Sequence, residues 1–135
     1  MFYDFAITVP KSTTEAIPVE QAMKLTKGVI HRVEIQFPIG TLALAHCKIY
    51  HDEHQFLPTN PEGSFASDGY VIPIDENFEL STVPYSLKAR CWNDDDTYQH
   101  IITIRVGVLG GEWAILLMKV IKGLVKFLSL VGIKV

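Results

Sequence analysis

At Gly110-Gly111 the chain changes its apolar period. Upstream, apolar residues recur at every second position in short runs bounded by turn residues. Downstream they recur at three and four. A chain with this switch is restricted to a set of half-buried strands followed by one helix. The downstream stretch, Glu112 to Val135, carries Lys119, Lys122, Lys126 and Ser129 on one side, with Glu112 seven residues before Lys119. On a wheel at ~100° per residue these polar groups fill an arc of roughly 140°, and the rest is apolar. A helix of that composition, ~36 Å long if it runs to the last residue, needs a covering partner.

The strand signals lie in residues 1–109. Tyr3, Phe5, Ile7 and Val9 alternate with polar or small residues until Pro10. Val19 to Thr26 reads as a short strand. Val29, His31, Val33, Ile35 and Phe37 share one face of the next. Thr41 to Tyr50 then follows Pro38-Ile39-Gly40 as the second arm of a hairpin. His51 to Ser67, rich in Pro, Asn, Gly and Ser, reads as one long loop of unspecified ligand. Tyr70 to Ile74 is a short strand that Pro73 assigns to a sheet edge, with Glu76 to Leu80 as a further piece. Tyr85 to Trp92 and Tyr98 to Leu109 read as a hairpin closed by Asn93-Asp94-Asp95-Asp96.

Seven or eight short strands without interleaved helices predict a mainly β fold: an antiparallel β-sandwich over residues 1–109, with a C-terminal amphipathic helix over 110–135. Jelly-roll and immunoglobulin-like topologies both remain open. Tyr85 stands six residues before Cys91, which is not the tyrosine-to-cysteine spacing of immunoglobulin domains.

Charge separates the two parts. Residues 1–109 carry eight Lys/Arg against fourteen Asp/Glu, and residues 110–135 carry four Lys against Glu112. An acidic body argues against nucleic acid, whose phosphates need a basic face. A basic, apolar tail suits the acidic bodies of sister subunits or an anionic membrane surface. The residues from Met1 onward lack a basic n-region and enter a strand pattern at once. The expected setting is therefore cytoplasmic or within an assembled particle. Cys47 and Cys91 both point inward by alternation, and whether they are bridged is left open.

Signals for catalysis are sparse. His51-Asp52-Glu53-His54, with His46 upstream, has metal-binding side chains but no helix to fix their spacing, so a polar turn is the simpler reading and no metal is expected. Asn93 to Asp96 lacks the alternating ligands, Gly and distal Glu of a calcium loop. Neither cysteine sits where a thiolate would be favoured, and no nucleophile elbow or phosphate-binding loop is present. The chain thus reads as non-enzymatic and without cofactors.

Three binding readings follow. In the first, the tail drives homo-oligomerisation of a structural subunit of shell, filament or virion type. Trp113, Leu116, Leu117, Val120, Ile121, Leu124, Val125, Phe127, Leu128 and Val131 form its apolar interface, with Lys119, Lys122 and Lys126 as the basic face. In the second, the same residues rest in a membrane surface, or disturb it, with the lysines at the headgroups. A full span is disfavoured by three central lysines, each costing ~2.5–3.5 kcal/mol. In the third, Tyr50, Phe56, Tyr70, Trp92 and Tyr98 make a sugar-stacking platform of a carbohydrate-binding module.

Overall fold

A computed structural model describes residues 1–132; the last three residues of the expected helix lie outside the described residues. Eight strands and one helix follow in order: β1 (Phe2–Val9), β2 (Val19–Lys24), β3 (Gly28–Phe37), β4 (Ala45–His51), β5 (His54–Leu57), β6 (Tyr70–Leu80), β7 (Ser86–Asn93), β8 (His100–Gly110) and α1 (Glu112–Leu130). They form two four-stranded antiparallel sheets, ordered β1-β8-β3-β6 and β2-β7-β4-β5. The first strand pairs with the last and the second with the seventh, while β3 lies beside β6 and β4 beside β5. This nested pairing is that of a jelly roll, which decides between the two topologies left open above.

The core fills the space between the sheets. Ile7, Val9, Val33, Ile35, Phe37, Ile102, Ile104, Val106 and Val108 come from one sheet. Met23, Ala45, Cys47, Ile49, Leu87, Ala89 and Cys91 come from the other. Each set obeys the two-residue period that the sequence displays, because successive side chains of a strand point to opposite faces.

Both expected hairpins are absent. β3 and β4 lie in different sheets, and so do β7 and β8. Between β3 and β4 the chain turns at Leu42 and Ala43, both with positive φ (51° and 58°), so the strand expected from Thr41 begins at Ala45. Between β7 and β8 the Asn93–Asp96 turn is a corner from one sheet to the other. Asn93 is fully buried there, and its side-chain amide donates to the Tyr98 carbonyl at 2.9 Å.

Two further departures are local. A bulge in β3 between Ile30 and Arg32 breaks the expected shared face: Ile30 points into the core, while Val29 and His31 line a groove outside it. An extra residue in one strand shifts the alternation by one position. The long loop also contains β5, joined to β4 by Asp52-Glu53 with φ of 47° and 65°. Two left-handed residues in a two-residue connection are what a right-twisted hairpin requires. β6 is the edge strand that Pro73 indicates, longer than expected because it absorbs the Glu76 to Leu80 piece.

Candidate functional site

The helix begins where strand pairing ends. Gly110 is the last residue of β8, and Gly111 adopts φ 99° as the N-cap, without a side-chain cap. Glu112 in the first turn suits the positive end of the helix dipole. It also accepts a hydrogen bond from the Lys27 ammonium at 2.9 Å. That bond raises the Lys27 pKa and lowers that of Glu112. At the other end the Val131 N–H donates to the Phe127 carbonyl at 3.2 Å, and Gly132 takes φ 84°. The helix therefore stops at Leu130, short of the extent expected from its apolar period. A left-handed glycine just past the last turn is a common terminator.

Only part of α1 is covered by its own subunit. Ile115 is buried, and Ala114 and Met118 are half-buried. Near mid-helix the Lys122 ammonium meets a Glu79 carboxylate oxygen of β6 at 3.0 Å. The first half of α1 overhangs the outer face of the β1-β8-β3-β6 sheet. Between them runs a groove of about 280 Å³, lined by Val29, His31, Asn77 and Leu109 below and by Ala114, Leu117 and Met118 above.

Much of the remaining helix surface is apolar and exposed, with Leu117 at its border with the groove. Leu116, Leu117, Val120, Ile121, Leu124, Val125, Phe127 and Val131 are all exposed, Phe127 to 59% and Val120 to 58%. Leu128 is half-buried. Trp113 belongs to the first turn, and its side chain lies outside the described set. Leu130, 78% exposed, adds to this surface beyond the residues that the sequence pattern indicates. Within this run Leu117, Val120, Leu124, Phe127 and Val131 stand at successive spacings of three, four, three and four. Lys119, Lys122 and Lys126 fall off that seam, and Lys119 and Lys126 are exposed.

The aromatics expected to make a platform are not brought together. Tyr50 and Trp92 share the outer face of the β2-β7-β4-β5 sheet, but Trp92 is buried beneath the His46 ring, stacked at 5.0 Å. Phe56 packs on Phe78 against the core, and Tyr70 and Tyr98 are exposed elsewhere. What does gather on that outer face is charge. Lys48, almost fully buried, donates to Glu15 at 3.0 Å and to the Pro61 carbonyl at 3.2 Å. Arg90 lies over the Tyr50 ring at 4.2 Å and, with Lys88, meets Glu20 and Glu53. The Arg90 Nε is buried without a hydrogen bond although Glu20 Oε1 is 3.3 Å away, so that contact is electrostatic rather than well aligned. Three cations answered by three carboxylates leave no unbalanced charge for a ligand to neutralise.

The histidine run is not gathered into one site either. His51 meets Asp52 at 3.6 Å, Glu53 serves Lys88 and Arg90, and His46 meets Asp94 at 3.1 Å. Among the described residues no three His, Cys, Asp or Glu side chains converge as a metal site would require. No helix among them is long and apolar enough to cross a membrane. No protein-family model matches the chain, and neither does any curated protein sequence.

Proposed function

We propose that the protein is a structural, self-assembling subunit: a jelly-roll body that oligomerises with copies of itself through α1. The observation that carries this reading is the exposure of a run of large apolar residues along the helix, Val120, Leu124, Phe127 and Val131 among them, that its own sandwich leaves uncovered. Large contiguous apolar surface exposed by a monomer is an association surface. The seam of Leu117, Val120, Leu124, Phe127 and Val131 follows the alternating spacing with which helices pack knobs into holes, and the lysines lie outside it. Leu116, Ile121 and Leu130 flank the seam and widen it, which suits a bundle of more than two helices. The basic tail and acidic body are complementary in sign and favour encounter between subunits.

Substituting Leu117, Leu124 and Phe127 together with Ser in the full chain removes the seam without touching the sandwich core. By light scattering coupled to size exclusion, the parent chain is expected to have an oligomeric mass and the variant a monomeric one, with unchanged strand content by circular dichroism. A monomeric parent chain, or a variant that keeps the parent's mass, rejects the proposal. The membrane-surface reading draws on the same helix, and co-sedimentation with anionic vesicles separates the two. Lys122 is already engaged with Glu79, which leaves less of the basic side free for headgroups.

A further inference from the structure

Cys47 of β4 and Cys91 of β7 are direct cross-strand partners in the middle of their sheet, and both are fully buried. Which kind of partners they are follows from where Cys47 spends its backbone groups. Its N–H donates to the Phe65 carbonyl at 2.9 Å, and its own carbonyl accepts from the Phe65 N–H at 2.9 Å. In an antiparallel strand the N–H and C=O of one residue point to the same edge. Both groups of Cys47 therefore face Phe65 and away from β7, so Cys47 and Cys91 form a non-hydrogen-bonded pair. Residues of such a pair have Cα atoms about 4.5 Å apart, closer than at a hydrogen-bonded position. That separation lies inside the range of roughly 4.4–6.8 Å that a disulfide spans. Both side chains also point to the same face, into the core.

We infer that Cys47 and Cys91 are a built-in site for an intramolecular disulfide, joining β4 to β7, the two central strands of the β2-β7-β4-β5 sheet. Formation is a thiol–disulfide exchange with a small-molecule disulfide such as oxidised glutathione. One thiolate attacks the glutathione disulfide, releasing one glutathione and leaving a mixed disulfide. The second thiolate then attacks the protein sulfur of that mixed disulfide, expelling the other glutathione. Two thiol protons leave, the two cysteine sulfurs are oxidised, and the two glutathione sulfurs are reduced.

The native fold sets when this happens. The neighbouring Cys91 thiol and burial both raise the Cys47 thiol pKa well above the ordinary value. A thiol so placed exchanges slowly, because the thiolate is the attacking species. The folded, reduced chain therefore resists oxidation, and the bond forms when the chain folds, or opens, in oxidising surroundings. Once formed, it closes a loop that contains β5, β6 and the intervening connection. The chain-entropy argument for a loop of this length lowers the unfolding equilibrium constant by on the order of a hundredfold or more.

The test uses the full chain, unfolded and reduced, then refolded in a buffer of oxidised and reduced glutathione, with a parallel sample kept in reductant. Alkylation followed by peptide mapping without reduction is expected to show a Cys47–Cys91 linked peptide in the first sample only. The linked protein is expected to unfold at a higher urea concentration, with the gain abolished by reductant. Cys91→Ala serves as control, its midpoint being the same in both buffers. If both thiols remain fully alkylatable after oxidative refolding, or carry only glutathione, the inference fails. A linked peptide whose midpoint does not exceed that of the reduced chain also overturns it, since the bond would then be strained rather than accommodated.

Discussion

The Lys122 ammonium of α1 lies 3.0 Å from a carboxylate oxygen of Glu79 on β6, which ties the middle of the helix to the edge strand of its own subunit. Lys122 is largely exposed while Glu79 is mostly covered, so the pair contributes no more than about 1 kcal/mol. Glu79→Gln is expected to leave the thermal midpoint within a few degrees of the parent. Amide exchange across Glu112–Lys122 is expected to quicken, because the helix loses an anchor near its middle. An unchanged exchange profile would mean that Ile115 and its half-buried neighbours hold α1 without help.

Gly123 sits inside α1 with open space around it: an added Cβ meets nothing within 4 Å in the subunit. Alanine is favoured over glycine in a helix interior by about 1 kcal/mol. Gly123→Ala is therefore expected to raise helical signal and midpoint without changing the oligomeric mass. A loss of mass would instead place Gly123 against a neighbouring helix at a distance only glycine tolerates.

Gly28 is the opposite case. A Cβ there would press into the Leu109 carbonyl and come within 2.8 Å of Val108 Cγ1. The obstacle is backbone of the paired strand β8, which cannot swing aside. Gly28→Ala is expected to cost on the order of 1–3 kcal/mol, read from the urea midpoint. A midpoint equal to that of the parent would show that β3 and β8 separate there without penalty.

The corner between β7 and β8 carries an acid-sensitive group. Asp95 accepts hydrogen bonds from the Thr97 N–H at 2.8 Å and the Tyr98 N–H at 3.2 Å, and its other oxygen lies 2.9 Å from His100 Nε2. The Thr97 bond, followed by the His100 contact, holds the Asp95 pKa below the ordinary aspartate value. A carboxyl depressed by folding contributes stability that is fully present above its unfolded pKa and is lost as pH falls through the folded one. Asp95→Asn is therefore expected to destabilise most at neutral pH, with the gap to the parent closing as the pH falls through and below the ordinary aspartate range. A gap constant across that range would remove Asp95 as the source of the acid dependence.

The inward faces of the sandwich were legible from alternation alone, and Ile102, Ile104, Val106 and Val108 lie where the period puts them. Alternation says which residues face the core; it does not say which strand supplies the hydrogen bonds. That is why β7 and β8, joined by a turn of four Asx residues, resemble a hairpin in sequence and part into different sheets in space. The Asp52-Glu53 connection is not legible in the sequence for a different reason. It takes a left-handed pair without the glycine that announces one, in a turn where Glu53 meets Lys88 and Arg90 of β7. The bulge beside Ile30 has no local signal, because Val29, Ile30 and His31 fit either face.

The apolar residues of α1 were legible as a surface, but the direction in which they point was not. Periodicity defines two sides of a helix and leaves open which one meets the body. Here the decision rests on single contacts far apart in sequence, such as Lys27 with Glu112 and Lys122 with Glu79.

Pro73 on the β6 border carries a last implication for how molecules of this kind can meet. It has no amide hydrogen to offer at that rung, and a proline on an outer strand spoils the template a foreign strand would need. Exposed Asp75, held by Arg32 at 3.0 Å, places a charge two residues further along the same margin. Lateral stitching of one molecule's ribbons to another's, the road to fibrous aggregates, is discouraged along this flank. In the assembly proposed above, copies that meet through α1 would leave this margin of the sandwich unpaired.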